Sequence, residues 1–528
     1  GKDIGRYYVA NNVGVSDNNT TNYKTQLNGR LQYETTIAKN HNIGAMFVYS
    51  EEYWHTRSTG ASRNDRIHPS TSEINAALTN VQSNSGSSAS EGLRSYIGRM
   101  NYSAYDKYLL EFSFRVDGSS KFVKGHQYGF FPTVALGWRF TEEEFLKKYL
   151  SSWLSSGKLR ASWGKLGDNS GVDRFEQLET LTAMNYMSSD VVKGFVNKKM
   201  INKDLSWEVS TDINVGLDLG FLNNRLRTEI DFYNRLRTGM NRPSEMSIHL
   251  TGAYSAPRAN IGDLLNRGIE LNLTWKDKIG NVEYSVNLNG AYNRTVLKEW
   301  NEFLSRGWVY LDMPYHFLYI YENNGIAQTW QDIYNNTPQG LSPGDVIRKD
   351  LNGDGIIDGK DKKAYPNIQR DRPTTTYGIT LQAAWKGFDI SMLFNGGLGR
   401  KDFWITDFNN TAFADRRYAS TWDHWTEPWS LENRSGKWPR LGTSTDRSDN
   451  SYWLYNMNYL RMKNIMLGYN LPQKLLSKIS MANLRIYASA ENLFTVTQYP
   501  GLDPEKKNSS RDLYPINRSF SIGLNVSF

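Results

Sequence analysis

Cysteine is absent from the 528 residues, which excludes disulfides and thiolate metal sites and suits a chain that crosses an oxidising periplasm. Histidine is scarce, at 7 residues, and no HExxH or GxSxG spacing places one beside a metal or a nucleophile. Single histidines such as His41, His55 and His126 read as solvated polar side chains, and the acids of TEEEFLKKYL, Glu142 to Glu144, as the wet face of a short helix or turn. No enzyme signature remains. No apolar run approaches the roughly 20 residues that a spanning helix needs. A mean hydropathy of −0.61 and 39% hydrophobic residues argue against a helical membrane protein. The formal charge of +8 is spread thinly over 62 basic and 54 acidic residues. It forms no basic cluster with interleaved aromatics, so nucleic acid is not indicated as a partner. The opening GKDIGRYYVANN carries no initiator Met, basic n-region or apolar h-region, so no signal peptide is expected in it, and an exported protein would be represented here by a processed or partial chain.

What the chain has instead is alternation. Its last ten residues, SFSIGLNVSF, set Phe520, Ile522, Leu524, Val526 and Phe528 against Ser, Gly and Asn. Between Leu205 and Phe221 the odd positions Leu205, Trp207, Val209, Thr211, Ile213, Val215, Leu217 and Leu219 are largely apolar, while Ser206, Glu208, Asp212, Asn214 and Asp218 share the other side. This is period two, and it predicts a strand long enough to cross a bilayer while tilted. The pattern resumes after Asn223-Asn224, on both sides of Gly280-Asn281, on both sides of Lys386-Gly387, around KNHN and around Asp106-Lys107. Roughly fourteen to sixteen strands follow from pattern alone. Short turns alternate with long connections near 57–92, 169–203, 241–264, 298–372 and 400–450, the asymmetry of outer-membrane barrels. Aromatic residues make up 13% of the chain, enough for two interfacial girdles.

The expected fold is therefore all-β, an antiparallel transmembrane β-barrel portion spanning residues 1–528. Val215, Leu217, Val286 and Val526 should face lipid, with Asp212, Asp218 and Asn287 facing water. A soluble stack of sandwiches or a propeller is the competing architecture, but it would bury both faces of many strands. Here the polar side carries acids at mid-strand positions, including Asp231, Glu270 and Glu283, which suits a wide wet lumen.

Two further segments carry chemistry. Asp350, Asn352, Asp354, Asp358 and Asp361 occupy positions 1, 3, 5, 9 and 12 of a loop with Gly355 at position 6, so that Ile356 would offer its backbone carbonyl. This is a Ca²⁺-loop spacing with Asp in place of the closing Glu, similar to dockerin-type loops; an ion-free Asp/Asn/Gly turn is the other reading. The stretch from Phe403 to Trp438 gathers Trp404, Trp422, Trp425, Trp429 and Trp438. It reads either as a self-packed loop core or as a docking or sugar-stacking surface.

Several runs, in order, carry a family resemblance: LRSYIGRMNYSAYDKYLLEFSFRVDGSSKF, YGFFPTVALGWRF, KLRASWGKLGDNSG, LNRGIELNLTW, GDVIRKDLNGDGIIDGKDK, LRMKNIMLGYNLP and LRIYASAENLFTVTQYPGLDPE. Together they resemble the barrel of SusC/RagA-like TonB-dependent transporters. The resemblance implies a bacterial outer-membrane protein, not an enzyme, that imports oligosaccharides or peptides captured with a SusD-like surface lipoprotein and is energised by the TonB complex through an N-terminal plug. It also implies that the terminal Phe528 serves as an assembly signal, and because exposed aromatic anchors are favoured at interface centres the Trp-rich connection is expected to contact the lipoprotein. No counterpart of the plug, TonB box or early strands is found in this chain. About 22 strands would complete the wall, so either a second chain supplies the remainder or these residues belong to a longer one. A soluble Ca²⁺-dependent carbohydrate-binding protein and a passive porin are the alternatives.

Overall fold

The computed structural model describes residues 14–64, 72–78, 82–150, 153–187, 191–197, 199–246, 249, 256–302, 310–314, 317–366, 368, 372–403, 427–440, 450–476, 481–506 and 516–527. Fifteen strands form one sheet, in chain order from Val15–Ile37 at one edge to Ser519–Ser527 at the other, with every neighbour antiparallel. The strand number lies within the range that the alternation predicts. Five two-stranded ladders stand apart from this wall, all inside its connections.

Register shows that one face is apolar across the whole sheet, because directly paired residues share a face. Val215 lies opposite Ala161 on one side and Phe232 on the other; Phe232 lies opposite Ile269, and Ile269 opposite Tyr292. Val286 lies between Trp275 and Leu381, and the row continues through Met392, Ile465, Ala490 and Phe520. Leu217 and Val526 fall on the same face, opposite Leu159 and Leu484. These side chains have no second layer over them: Ile522 is 85% exposed and Leu31 74%. Burying such residues is worth roughly 1.5–3 kcal/mol each, and lipid is the medium that supplies it. The opposite, concave face holds Asp212, Asp218 and Asn287. Asp212 accepts from Arg235 Nε at 2.6 Å, and Asn287 donates to Asn272 Oδ1 at 2.7 Å.

Antiparallel neighbours place successive connections at opposite ends of the wall. At one end the turns are short because their residues tolerate left-handed backbone. Leu222, Asn223 and Asn224 have φ of 52°, 57° and 60°, Gly280 has 59°, and the pair Lys386 and Gly387 has 48° and 90°. An aromatic belt lies beside these turns. Trp153 stacks on Phe221 with centroids 5.7 Å apart, Phe388 and Tyr469 approach to 4.4 Å, and Trp275 Nε1 donates to the Tyr284 hydroxyl at 3.1 Å. Tyr108 and Trp138, directly paired, donate to Glu143 at 2.6 and 3.2 Å, just ahead of the helix Glu144–Leu150. Apolar rings with polar tips directed outward suit the boundary between hydrocarbon and headgroups. Connections 169–207, 239–262, 300–374, 399–458 and 498–518 all lie at the other end.

Among the boundaries that differ from the expected ones, two have a clear physical cause. The connection expected over 57–92 narrows to 64–81, because His41–Arg63 and Gln82–Ala104 are each 23 residues long and pair throughout. Beyond the membrane both faces meet water, so apolar alternation stops while the backbone ladder continues. The strand expected from Leu205 begins at Glu208. Leu205 is buried with Phe122 and Val172, and Trp207 packs against them, its indole donating to Gln127 O at 3.0 Å. Tertiary packing has removed both residues from the alternating row. Phe528 lies outside the described residues.

The face assignment makes adjacent residues unequal. Val215→Arg should cost about 2–4 kcal/mol when the barrel is folded into phospholipid vesicles and unfolded with denaturant, and Asn214→Arg much less. Equal costs would overturn the orientation.

Candidate functional site

Described residues of three long connections pack together into a cap at one end of the wall. Leu318 and Ile320 come from 300–374, Phe403, Trp438, Trp453 and Met457 from 399–458, and Tyr499 from 498–518; these residues bury one another in a single cluster. Trp438 and Trp453 stack at 6.3 Å with an interplanar angle of 11°. Trp429 is 6% exposed and donates from Nε1 to Gln328 Oε1 at 2.9 Å. Gly344 lies against its ring, with φ of 92°; a Cβ at that position would stand 2.4 Å from the indole. Arg440 then ties this unit to the buried Asp345 at 2.8 and 3.1 Å. Trp429 and Trp438, expected as candidates for a partner surface, are therefore interior residues of the cap, and the self-packed reading describes them. Trp404, Trp422 and Trp425 lie outside the described residues.

Two buried arginines hold the last connection against the wall. Arg461, 3% exposed, donates to Asp503 Oδ1 at 2.7 Å and to Thr495 Oγ1 at 2.9 Å, and also pairs with Glu505. Arg400, 2% exposed, donates to the carbonyl oxygens of Pro504, Glu505 and Lys506 at 3.2, 3.1 and 3.1 Å. A guanidinium presents its donors in a planar fork, so one side chain can satisfy several acceptors of a segment that has no ladder of its own. Sequence reasoning missed this clamp. Its trace was present, since DPE follows a Pro-Gly turn and two strand-end arginines precede it, but nothing local paired them.

The acidic loop is ordered by its own hydrogen bonds. Asp350 accepts from Gly353 N at 2.6 Å, Gly355 N at 2.9 Å and Thr337 Oγ1 at 2.9 Å. Asp361 is wholly buried and accepts from Leu351 N and Asp358 N, both at 2.9 Å. Asn352 donates to Asp354 Oδ2 at 2.8 Å, Asp354 accepts from Ile356 N at 3.0 Å, and Asp358 accepts from Lys360 N at 2.8 Å. Gly353 and Gly355, at φ of 74° and 78°, allow the sharp reversal. Burial acts to raise the Asp350 carboxyl, but the donors Gly353, Thr337 and Gly355 outweigh it and hold it below its ordinary value of 3.8. Among the described residues no three acidic or histidine side chains converge on one ion position. The loop has the order of residues that a Ca²⁺ site requires, with its oxygens engaged by backbone N–H groups.

Residues 2–339 match the family model for "TonB dependent receptor-like, beta-barrel". The chain is 29% identical over 562 residues to TonB-dependent receptor P3 of Formosa agariphila, covering 98% of this chain and 54% of that protein. It is also 29% identical over 548 residues to TonB-dependent receptor SusC of Bacteroides thetaiotaomicron, covering 99% of this chain and 52% of that one. Among solved structures, the RagAB peptide transporter superposes with a TM-score of 0.82 at 22% identity, over 97% of this chain and 56% of its own. The chain thus spans about half the length of the curated relatives it matches.

The arginine clamp makes a local prediction. Arg461→Met strands the Asp503 carboxylate in a site 2% exposed and should cost about 3–5 kcal/mol, read as faster proteolysis within 498–506 of the assembled barrel. The double change Arg461→Met, Asp503→Leu should recover most of the protection. Unaltered cleavage in the single variant would show that the segment is held elsewhere.

Proposed function

Because the chain belongs to the TonB-dependent receptor-like β-barrel family, whose place is the outer membrane, we propose that it is the barrel portion of an energised importer for oligosaccharides or peptides. The observation that carries the reading is the wall itself, with an unbroken apolar outer face, a charged concave face and a folded cap at one end. Membership in the family sets aside a soluble carbohydrate-binding protein. A large relative length supports further segments in the working protein. Among the described residues Val15–Ile37 and Ser519–Ser527 each pair on one side only, and additional strands pairing with both edges would satisfy their backbone groups in lipid. A plug from those further segments would receive the TonB complex.

Names of relatives bear on the cargo: SusC among the receptors, and peptide transport for RagAB. The cap is the surface that a SusD-like lipoprotein would cover, and residues 404–426 of the Trp-rich connection, with Trp404, Trp422 and Trp425, are the proposed contact. Full-length protein expressed in a bacterium lacking its own copy should take up cargo only while TonB is intact. Uptake that persists without TonB would establish a passive porin. Replacing 404–426 by a short Gly/Ser linker should abolish copurification of the lipoprotein, and its retention would refute that contact.

Residues 350–361 are proposed to bind Ca²⁺ as a structural ion. Binding requires Asp354, now turned to its own loop backbone, to swing toward Asp350 and Asp361, while the Asn352 side chain, the Ile356 carbonyl and Asp358 complete the ligand set. The ion would offset repulsion between the clustered carboxylates and pin the insertion 300–374. Calorimetric titration of the wild type with Ca²⁺ should give saturable heat that the variant Asp350→Ala, Asp354→Ala lacks; identical traces would eliminate the site. Asp350 has a depressed pKa, so its hydrogen bonds are fully present above 3.8 and are lost only as pH falls through the lower value. Ca²⁺ binding should accordingly not be lost through Asp350 at pH 5.

A further inference from the structure

On the concave face, near the capped end, the wall opens into a cavity of about 760 Å³ whose lining includes Arg235, Arg237, Arg242, Arg258 and Arg372. That is within the size range of roughly 300–1,000 Å³ usual for small-ligand sites. Arg235 and Arg237 project from one strand at alternate positions, so both face inward. Arg242 and Arg258 come from the small ladder Asn241–Pro243 with Arg258–Asn260, folded beside the wall. Arg372 enters from the end of the 300–374 insertion.

Counter-charges meet part of this density. Arg235 pairs with Asp212 at 2.6 Å, Arg237 with Asp168 at 3.3 Å and with Glu208, and Arg258 with Asp173 at 3.4 Å. These pairs involve Arg235, Arg237 and Arg258, and of their four acids only Asp168 and Glu208 line the cavity. Arg372 is exposed and, among the described residues, forms no ion pair or hydrogen bond. Its fork is open toward the space that the others line. Gathering like charges on a wall is unfavourable unless an anion shares them.

A second observation is independent of charge. Asn241 is 6% exposed; its backbone N donates to Glu208 and its Oδ1 accepts from Asn260 Nδ2 at 2.9 Å, yet its Nδ2 has no partner. Asn266, which also lines the cavity and pairs directly with Arg235 on the neighbouring strand, likewise has a buried Oδ1 without a donor. An unmet buried donor or acceptor costs about 1–3 kcal/mol. A ligand that both donates and accepts would relieve both atoms after a small side-chain rotation.

We propose that this cavity is a lumenal recognition site for the carboxylate groups of an acidic oligosaccharide. Planar guanidinium forks match carboxylates in bidentate geometry. The rest of the lining favours a sugar over an acidic peptide: Ser170, Ser210, Asn241, Asn266 and Thr295 can each donate and accept, as sugar hydroxyls do, whereas Met240, Pro243 and Leu264 are the few apolar groups available to peptide side chains. The inference names a cargo class for the import reading and takes its purpose from it, but the binding itself does not depend on energised transport.

Full-length protein in detergent separates the two. Titration at low salt with trigalacturonate, neutral galactotriose and triglutamate should show the acidic sugar binding at least about tenfold more tightly than the neutral one, with affinity falling as salt rises. Arg372→Gln should weaken trigalacturonate by about three- to tenfold and leave galactotriose unchanged, and Arg372→Lys, which keeps the charge but loses the fork, should lie between. Equal affinity for acidic and neutral sugars, preference for triglutamate, or indifference to Arg372→Gln would each overturn the proposal. Heat-modifiable migration confirms that each variant is a folded barrel. A transporter that proves to be TonB-independent in cells leaves these results standing, and a failed titration leaves the import test standing.

Discussion

Every peptide N–H and C=O within the hydrocarbon layer must be satisfied by the protein, and here the satisfaction runs between strands. That constraint fixes the rest. A sheet that carries its hydrogen bonds sideways leaves its two faces free to differ, and the pleat forces them to differ residue by residue. Val215 and Asn214 are neighbours in sequence and yet occupy different media, one opposite Phe232 and the other opposite Tyr233. A one-residue slip would exchange the faces of an entire strand, so the register is held by the cost of placing Asp212 or Asp218 in lipid.

The two ends of the wall solve different problems. The short-turn end need only reverse the chain, and Asn223, Gly280 and Gly387 do so with left-handed backbone where other residues would be strained. The opposite end carries 300–374 and 399–458, long enough to need a core of their own. That core is aromatic and small, so it is reinforced by polar anchors in which a buried arginine meets backbone carbonyls or an acid, as Arg400 and Arg461 do. The described residues of these connections thus form a folded cap.

Much of this was legible in the sequence because the signal of a barrel is local. Period two, Asn-Asn or Lys-Gly punctuation and the alternation of short with long connections are all visible within about twenty residues. What was not legible depends on residues far apart in the chain. Leu205 and Trp207 continue the alternation in sequence but are taken by Phe122 and Val172, some distance earlier in the chain. The segment Gln82–Gly92 carries no apolar alternation, and only its partner segment, Arg63 back to Tyr53, shows that it is ladder. Trp429 and Trp438 look like surface anchors by composition, and their burial follows from Gln328, Gly344 and Trp453 in other segments. The acidic loop was readable as a motif, whereas the engagement of its oxygens by backbone donors was not.

Glycines within strands show how the concave face manages its charge. Gly216 lies directly opposite Arg160 on one neighbouring strand and Asp231 on the other. A Cβ there would stand 2.5 Å from the Asp231 carboxylate and 2.6 Å from the Arg160 guanidinium, so the missing side chain leaves the path by which Arg160 crosses a whole strand to reach Asp231 at 2.9 Å, while also holding Asp218 at 2.7 Å. Gly468 does the same between Asp389 and Arg485, whose Nε donates at 3.0 Å. Glycine in a strand costs roughly 0.5–1 kcal/mol in chain entropy, and a half-exposed ion pair returns about as much. The balance in stability is therefore near zero, and the gain lies elsewhere: Arg160 is tied to Asp218 and Asp231 along the wall and does not extend freely into the lumen.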